Sequence, residues 1–183
     1  GYDFYVDERV LVPRQDTEVL AEEALDRLKE ITNPKILDMC TGSGCLLLSI
    51  LMERPDAFGT GVDISEDALK VAGQNRKNLN LEERAVLVQS DTFSGDYFQK
   101  NSGNTSLEYD MLISNPPYIA TEEIETLMEE VRLHDPRKAL DGMEDGLYFY
   151  RILAEECAKH LTPGGHVYFE IGYDQGAGVK ALL

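Results

Sequence analysis

Short apolar runs that suit β-strands alternate along this chain with longer stretches whose apolar residues recur at helical spacing. The runs that predict strands are Val10–Val12, Lys35–Met39, Thr60–Ile64, Ala85–Gln89, Met111–Ser114 and His166–Ile171. The stretches that predict helices run from Asp16 or Thr17 to about Glu30, from Cys45 to Glu53, from Ser65 or Asp67 to about Asn78, and from Tyr148 to Leu161. Because strands that alternate with helices form βαβ units, the sequence predicts an α/β fold around a mostly parallel sheet.

Three further segments are predicted to connect these elements. The polar stretch Gly95–Ser106 is predicted to be a mobile loop. Residues 119–147 are acidic and are predicted to form a partly helical insertion that ends in turns at Asp141-Gly142 and Asp145-Gly146. The residues Thr162–Gly165, two of which are glycines and one a proline, predict a turn into the last strand.

The composition is that of one globular domain. The chain has 183 residues, of which 43% are hydrophobic and 28% charged. No stretch reaches the roughly 18 apolar residues that a membrane span requires. The three cysteines, Cys40, Cys45 and Cys157, have no paired C-x-x-C spacing. They favour a reduced, cytoplasmic setting without disulfides or a structural metal.

The charge of the chain is strongly negative. There are 34 acidic and 17 basic residues, which gives a net charge of −17. A broad surface for nucleic-acid phosphates needs clustered Lys and Arg, so this balance disfavours a stand-alone nucleic-acid binder. It does not exclude one whose basic partner domain lies elsewhere.

Each of the last five predicted strands has a polar residue at or just past its carboxyl end. Because these ends lie along one edge of an open parallel sheet, where ligands bind, we expect the five residues to border one crevice. They are Asp38, Asp63, Asp91, Asn115 and Glu170.

The first half of this crevice contains a glycine turn, Cys40–Gly44, between a strand and a helix. Glycines allow a ligand to approach the backbone, but Leu47 stands where a dinucleotide fingerprint needs a third glycine, and no Gly-Lys-Ser/Thr follows. Asp63 can accept both hydroxyls of a ribose or can simply cap the next helix. Asp91, Thr92 and Phe93 could hold an adenine by an acceptor and an apolar wall. A nucleoside without phosphates fits best, and S-adenosylmethionine is the common cofactor of that kind.

The second half contains a proline turn, Asn115–Tyr118, directly after a predicted strand. Prolines lack a backbone N–H, so the turn presents carbonyl groups and few donors. Asn115 adds a side-chain carbonyl, and Tyr118 adds a flat aromatic face. The turn suits a planar NH2 group, although it could also be an ordinary bend.

With these features the chain resembles a class I S-adenosylmethionine-dependent methyltransferase. Three further segments, Val12–Glu18, Ala139–Leu147 and Phe169–Gly172, make it closely similar to the HemK/PrmC family, the glutamine methyltransferases of peptide-chain release factors. The resemblance implies a Rossmann-like three-layer sandwich of seven strands. Residues 1–183 would then be a methyltransferase domain that lacks the family's N-terminal docking domain and its last two strands, which leaves the fifth strand as an exposed edge.

The resemblance also implies roles for single residues. The substrate glutamine would be held by Asn115, Pro116, Pro117 and Tyr118, with Asn115, Pro116 and Tyr118 as the catalytic residues. S-adenosylmethionine would be held by Cys40, Thr41, Gly42, Ser43, Gly44, Asp63, Asp91, Thr92 and Asn115. Cys40 stands where the family commonly has glycine, and Thr92 where it often has tryptophan.

The expected partner is a release factor, with no direct nucleic acid, no membrane and no metal. Two other functions stay open: methylation of an adenine amino group in nucleic acid, which could use the same proline turn, and a non-catalytic cofactor-binding module. The roles of Arg14 and Glu170 are also open, because each could be structural.

Overall fold

A computed structural model describes residues 1–100 and 108–183 of the chain. Its five strands are all parallel and lie in the order β3-β2-β1-β4-β5, which confirms the predicted Rossmann-like α/β fold. The strands are β1 Lys35–Met39, β2 Phe58–Asp63, β3 Ala85–Gln89, β4 Tyr109–Ser114 and β5 Leu161–Phe169. The helices are α1 Gln15–Leu28, α2 Cys45–Glu53, α3 Glu66–Asn78, α4 Asp96–Lys100, α5 Thr121–Ile124, α6 Glu129–His134, α7 Arg137–Leu140, α8 Tyr148–Glu156 and α9 Gly176–Leu182.

The order of the strands reverses at β1, which pairs with β2 on one side and with β4 on the other. In a parallel sheet such a reversal opens a crevice at the carboxyl ends of the two central strands, because the connections leave in opposite directions. The glycine turn follows β1 and the proline turn follows β4. The fold therefore places both turns at the mouth of the same crevice.

The core lies on both faces of the sheet. Ile36, Met111 and Ile113 point into one cluster with α1 and α2, whereas Leu37 and Leu112 point into a second cluster on the opposite face. This alternation is what a strand buried on both sides requires. Each of these side chains is fully buried, which contributes roughly 1.5–3 kcal/mol per side chain to stability.

The N-terminal elements differ from the predictions. Val10–Val12 is not a strand: Val10 is buried against α3 beside Ala68 and Val71, and the segment runs without regular structure. The first helix begins at Gln15 with Arg14 as its N-cap, not at Asp16 or Thr17, and it ends at Leu28. Of the two residues predicted to start α3, Ser65 or Asp67, Ser65 is the N-cap, because its hydroxyl accepts a hydrogen bond from the Ala68 N–H.

The C-terminal elements differ as well. The predicted helix over 148–161 ends at Glu156 and continues as a 3-10 turn, Cys157–Lys159. The predicted turn Thr162–Gly165 belongs to β5, where the pairing register shifts: Tyr109 pairs with Leu161, and Met111 already pairs with His166. The strand resumes after the shift because β4 continues to offer hydrogen-bond partners.

The connecting segments agree with the predictions only in part. The insertion over 119–147 contains the three short helices α5, α6 and α7, but Asp141 forms a bridge to Ile119 instead of a turn. Within the predicted loop Gly95–Ser106, residues 96–100 form α4, which buries Phe98, and residues 101–106 lie outside the described residues. In the described part of the chain, no helix is long and apolar enough to cross a membrane.

Candidate functional site

A cavity of about 360 Å³ lies at the carboxyl ends of the central strands. The structure brings Asp38, Asp63, Asp91 and Asn115 to this cavity, while the fifth strand-end residue, Glu170, borders a second cavity beside it. The predicted cofactor residues that line the first cavity are Cys40, Thr41, Gly42, Ser43, Asp63, Asp91, Thr92 and Asn115. We call it the cofactor cavity.

The glycine turn has three residues in the left-handed region: Cys40 at φ +62°, Gly42 at +55° and Gly44 at +78°. A Cβ atom on Gly42 would meet no atom within 4 Å, so Gly42 faces open space in the cavity. Gly44 lines neither cavity; a Cβ there would lie 3.1 Å from Leu48 Cδ1. Cys40 adopts a conformation that favours glycine, which is the residue expected there from the resemblance.

Asp63 connects the glycine turn to α3. One carboxylate oxygen accepts the N–H of Gly42 at 2.9 Å, and the other accepts the N–H of Ser65, the N-cap of α3, at 2.9 Å. Burial raises the pKa of Asp63. Each carboxylate oxygen can accept a further hydrogen bond. Asp63 can therefore support the start of α3 and also bind a ligand in the cavity.

Asp38 has a different environment, with only 1% of its surface exposed. Its carboxylate accepts a hydrogen bond from the Thr41 hydroxyl at 2.6 Å. Burial raises the pKa of Asp38 to about 7, although the Thr41 hydrogen bond partly offsets this rise. Asp38 therefore stabilises the glycine turn through its hydrogen bond with Thr41.

The end of β3 only partly matches the prediction. Asp91 and Thr92 line the cofactor cavity, with Thr92 at φ +49°. The expectation that Phe93 forms an apolar wall is wrong, because Phe93 is buried in the core and stacks on His160 with ring centroids 4.7 Å apart. Ile64, which is 56% exposed and lines the cavity, offers an apolar surface instead.

Sequence reasoning missed the N-terminal wall of the cavity, which includes Arg9 and Leu11. This segment is held by Asn75, a buried residue on the inner face of α3. The Asn75 side chain accepts a hydrogen bond from the Tyr5 N–H at 2.7 Å and donates to the carbonyls of Tyr5 and Ser43, each at 2.9 Å. A polar residue on the apolar face of a helix was the only available signal.

A second cavity, of about 280 Å³, adjoins the first. Asn115, Leu11 and Ala139 line both cavities, and Tyr118 lines the second. We call it the acceptor cavity. Pro117 lines the cofactor cavity, whereas Pro116 is buried and lines neither.

A hydrogen-bonded chain connects the proline turn to β5 and α1. The Thr17 hydroxyl donates to Glu170 Oε2 at 2.7 Å, and Asn115 Nδ2 donates to Thr17 Oγ1 at 3.4 Å. Burial raises the pKa of Glu170; the hydrogen bond that it accepts from Thr17 lowers the pKa in part, as do the nearby side chains of Asn115 and Tyr118, while the charge of Asp16 raises it. Burial also raises the pKa of Tyr118, and so does the negative charge of Glu170. Glu170 thus borders the acceptor cavity and accepts a hydrogen bond from Thr17, which its place in the sequence did not establish.

The segment 139–147 packs directly on the proline turn. A Cβ on Gly142 would lie 2.8 Å from Tyr118 Cα, and one on Gly146 would lie 2.4 Å from the Tyr118 carbonyl oxygen. Gln175 Nε2 donates to that same carbonyl at 2.8 Å. The glycines of this segment therefore allow a close backbone approach that fixes the turn.

Arg14 lies at the rim of the acceptor cavity, where it pairs with Asp135 at 2.8 Å. Arg14 is about half exposed, and Asp135 is 6% exposed. The pair joins the start of α1 to the insertion across the cavity. Among the described residues, no three His, Cys, Asp or Glu side chains are grouped as metal ligands.

Comparison with known proteins shows which family the chain resembles. The family model of the methyltransferase small domain matches residues 15–146. The chain is 48% identical to the release factor glutamine methyltransferase of Caulobacter vibrioides over 97% of the chain and 59% of that protein. It is 38% identical to the protein of that name from Fusobacterium nucleatum over 100% of the chain and 49% of that protein. The expected similarity to this group is thus confirmed, although the chain spans only about half to three-fifths of these relatives.

Solved structures support the fold alone. The ribosomal protein L11 methylase of Lactobacillus delbrueckii superposes with a TM-score of 0.61 at 18% identity, covering 95% of this chain and 69% of that one. A SAM-dependent methyltransferase of Agrobacterium tumefaciens superposes with a TM-score of 0.59 at 16% identity, covering 87% and 45%. Because the family model covers most of the sequence and the fold agrees, the chain belongs to the methyltransferase small domain family.

Proposed function

We propose that this chain transfers a methyl group from S-adenosylmethionine to the side-chain amide nitrogen of a glutamine in a peptide-chain release factor. The observation that carries the proposal is the meeting of the cofactor and acceptor cavities at Asn115. The names of the relatives from Caulobacter vibrioides and Fusobacterium nucleatum support the choice of glutamine and release factor.

The cofactor cavity fits a nucleoside. Gly42 leaves open space beside its backbone, and the carboxylate of Asp63, which accepts the N–H groups of Gly42 and Ser65, has acceptor capacity left for a ribose hydroxyl. Asp91 lies at the end of β3, where it could accept from an adenine amino group. When bound, S-adenosylmethionine supplies a methyl group on a positively charged sulfur, and that S–C bond breaks as the nitrogen lone pair forms the new N–C bond.

The acceptor cavity fits a flat amide. An amide nitrogen is a weak nucleophile because its lone pair is delocalised into the carbonyl group. We propose that Asn115 accepts one of its two protons while Tyr118 packs on the flat group. Pro116 lines neither cavity, so its carbonyl as the acceptor of the second proton stays a prediction from the sequence. Holding the amide in this way orients the lone pair, and orientation can supply up to about 7–11 kcal/mol of a barrier. The nitrogen loses one proton after transfer, so no strong base is needed beforehand.

The direct test is incubation with isotope-labelled cofactor and a release factor, followed by mass spectrometry of the peptides. We expect one methyl group on a glutamine side chain, and none with the Asn115→Ala variant. Because the chain spans less than two-thirds of the relatives named above, the assay should use both this chain and a longer protein that contains it.

Two outcomes would contradict the proposal. Methylation of DNA or RNA instead of protein would favour an adenine amino methyltransferase. Calorimetry that detects cofactor binding without any methyl-glutamine would favour a binding module. Three further statements stay predictions from the sequence. They are that residues 1–183 form one methyltransferase domain, that the protein works in the cytoplasm, and that it contacts neither nucleic acid nor membrane.

A further inference from the structure

A chain of hydrogen bonds whose direction is fixed at one end lies beside the acceptor cavity, which Asn115 and Glu170 border. It starts at the Asn115 amide, passes through the Thr17 hydroxyl and ends at the Glu170 carboxylate. Thr17 is 7% exposed, and Glu170 is partly buried at the end of β5. The three residues lie on different elements, so the fold itself assembles the chain.

The chemistry of the three groups determines which way the amide points. An ionised carboxylate can only accept hydrogen bonds, and a hydroxyl has a single proton. Because the Thr17 proton is donated to Glu170, the hydroxyl oxygen can only accept from Asn115. Asn115 must therefore turn its NH2 group toward Thr17, which is the arrangement observed, with a long hydrogen bond of 3.4 Å.

The opposite side of the same amide is then left for a ligand. Within the described part of the chain, Asn115 Oδ1 takes part in no hydrogen bond, and Asn115 borders both cavities. An amide turned the other way would present NH2 to the NH2 group of a substrate, two donors facing each other. We infer that Glu170 and Thr17 are positioning residues that hold Asn115 with its carbonyl oxygen toward the acceptor NH2.

The inference rests on the proposed function and explains how a site for a planar NH2 rejects other groups. A carboxylate or a carbonyl in place of the acceptor NH2 would face the Asn115 oxygen without a proton between them. Such a mismatch leaves a buried acceptor unpaired, which is unfavourable. The fixed orientation of the Asn115 side chain thus selects an amide or an aromatic amine over a carboxylate of similar shape.

Three variants separate this role from a structural one. Glu170→Gln adds an NH2 group that lets the chain run in reverse, and Thr17→Val removes the hydroxyl while keeping the shape. Thr17→Ser keeps the hydroxyl and should preserve the orientation of the Asn115 side chain. Glu18→Gln, an exposed neighbour on α1, is the matched control.

Two measurements should be made on each variant. In the methylation assay, we expect Glu170→Gln and Thr17→Val to lower kcat about 10-fold to 100-fold, with cofactor Kd unchanged and with activity retained in Thr17→Ser. By NMR on 15N-labelled protein without ligand, the Asn115 side-chain NH2 protons should exchange with solvent at least about 10-fold faster in the two disruptive variants.

The second measurement does not depend on activity. If the wild type methylates no glutamine but the Asn115 exchange rates rise in Glu170→Gln and Thr17→Val as expected, the proposed function fails. The inference that Glu170 and Thr17 orient Asn115 is then still supported. If the exchange rates are the same in all variants, or if Thr17→Val is as active as Thr17→Ser, the inference is overturned.

Discussion

At the scale of single residues, Asp63 combines a structural and a ligand-facing position. Its two oxygens accept the Gly42 and Ser65 N–H groups and also border the cofactor cavity. We expect Asp63→Ala to weaken S-adenosylmethionine binding by about 1–3 kcal/mol, measured by calorimetry, and to lower the melting temperature because two backbone donors lose their partner. Asp67→Ala, an exposed carboxylate on α3, is the control. A lower melting temperature with an unchanged Kd would leave Asp63 as a loop anchor only.

Asp38 should control part of the pH dependence of stability. Burial raises its pKa to about 7 in the folded protein, against a usual value of 3.8. Between these values the folded state holds a proton that the unfolded state has lost, so stability from this group falls as the pH rises from about 4 to about 7. Below about pH 4, Asp38 is protonated in both the folded and the unfolded state, and its burial costs no stability through ionisation. Above about pH 7, it is ionised in both states, and the full loss of stability is present.

The isosteric variant Asp38→Asn stays neutral throughout, and the Thr41 hydroxyl can turn to accept from the new amide. We expect the free energy of unfolding of Asp38→Asn, from urea titrations, to rise relative to the wild type as the pH increases from about 4 to about 8. A constant difference between the two proteins over this range would mean that Asp38 is not protonated in the folded state.

At the scale of elements, the segment 139–147 packs tightly against the proline turn. A Cβ on Gly142 would lie 2.8 Å from Tyr118 Cα, and backbone atoms cannot move aside as a flexible side chain can. We expect Gly142→Ala to destabilise the protein by about 1–3 kcal/mol and to lower methyl transfer at least about tenfold, while the Kd for the cofactor is unchanged.

Gly73→Ala is a matched control for this substitution. Gly73 lies inside α3, where a Cβ would come no closer than 3.9 Å to Leu87 Cδ1. Replacing a helical glycine by alanine should stabilise the protein by roughly 0.5–1 kcal/mol. A Gly142→Ala protein with normal activity would show that the segment 139–147 does not fix the turn.

The sequence predicted those elements whose signals are local. The bounds of β1, α2 and β3 agree with the predictions, because prolines, glycines and dense apolar patterns mark their ends. Val10–Val12 failed because three apolar residues cannot specify a strand without a neighbouring strand to pair with. Thr162–Gly165 failed for the opposite reason, since pairing with β4 continues beyond a local turn signal.

The site divides in the same way. Asp63 ends β2 and Asn115 follows β4, so the position of each in the crevice could be predicted from the pattern. Thr17 could not be assigned a role, because its partner Glu170 lies 153 residues away in the sequence. Asn75 was missed for the same reason, as it binds Tyr5 70 residues away. Side-chain networks that join distant elements leave no periodic trace.

At the scale of the whole molecule, net charge is the dominant electrostatic feature. The acidic residues outnumber the basic ones by 34 to 17, and several of the observed ion pairs are exposed. Exposed pairs contribute at most about 1 kcal/mol each, so repulsion among the excess acidic charges should outweigh them.

Salt should therefore stabilise the protein. Raising the ionic strength from about 0.05 M to about 0.5 M shortens the screening length to a few ångströms, and we expect the melting temperature to rise by several degrees in calorimetry. A melting temperature that falls with added salt would mean that ion pairs outweigh the excess negative charge.

We propose that the two adjoining cavities are the cofactor and acceptor halves of one methyl-transfer site, which meet at Asn115. A crystal structure with S-adenosylhomocysteine and a glutamine-containing release factor peptide tests this most directly. We expect the adenosine beside Gly42 and Asp63, and the glutamine amide nitrogen beside Asn115 Oδ1. A nucleoside bound elsewhere, or a glutamine side chain outside the proline turn, would contradict it.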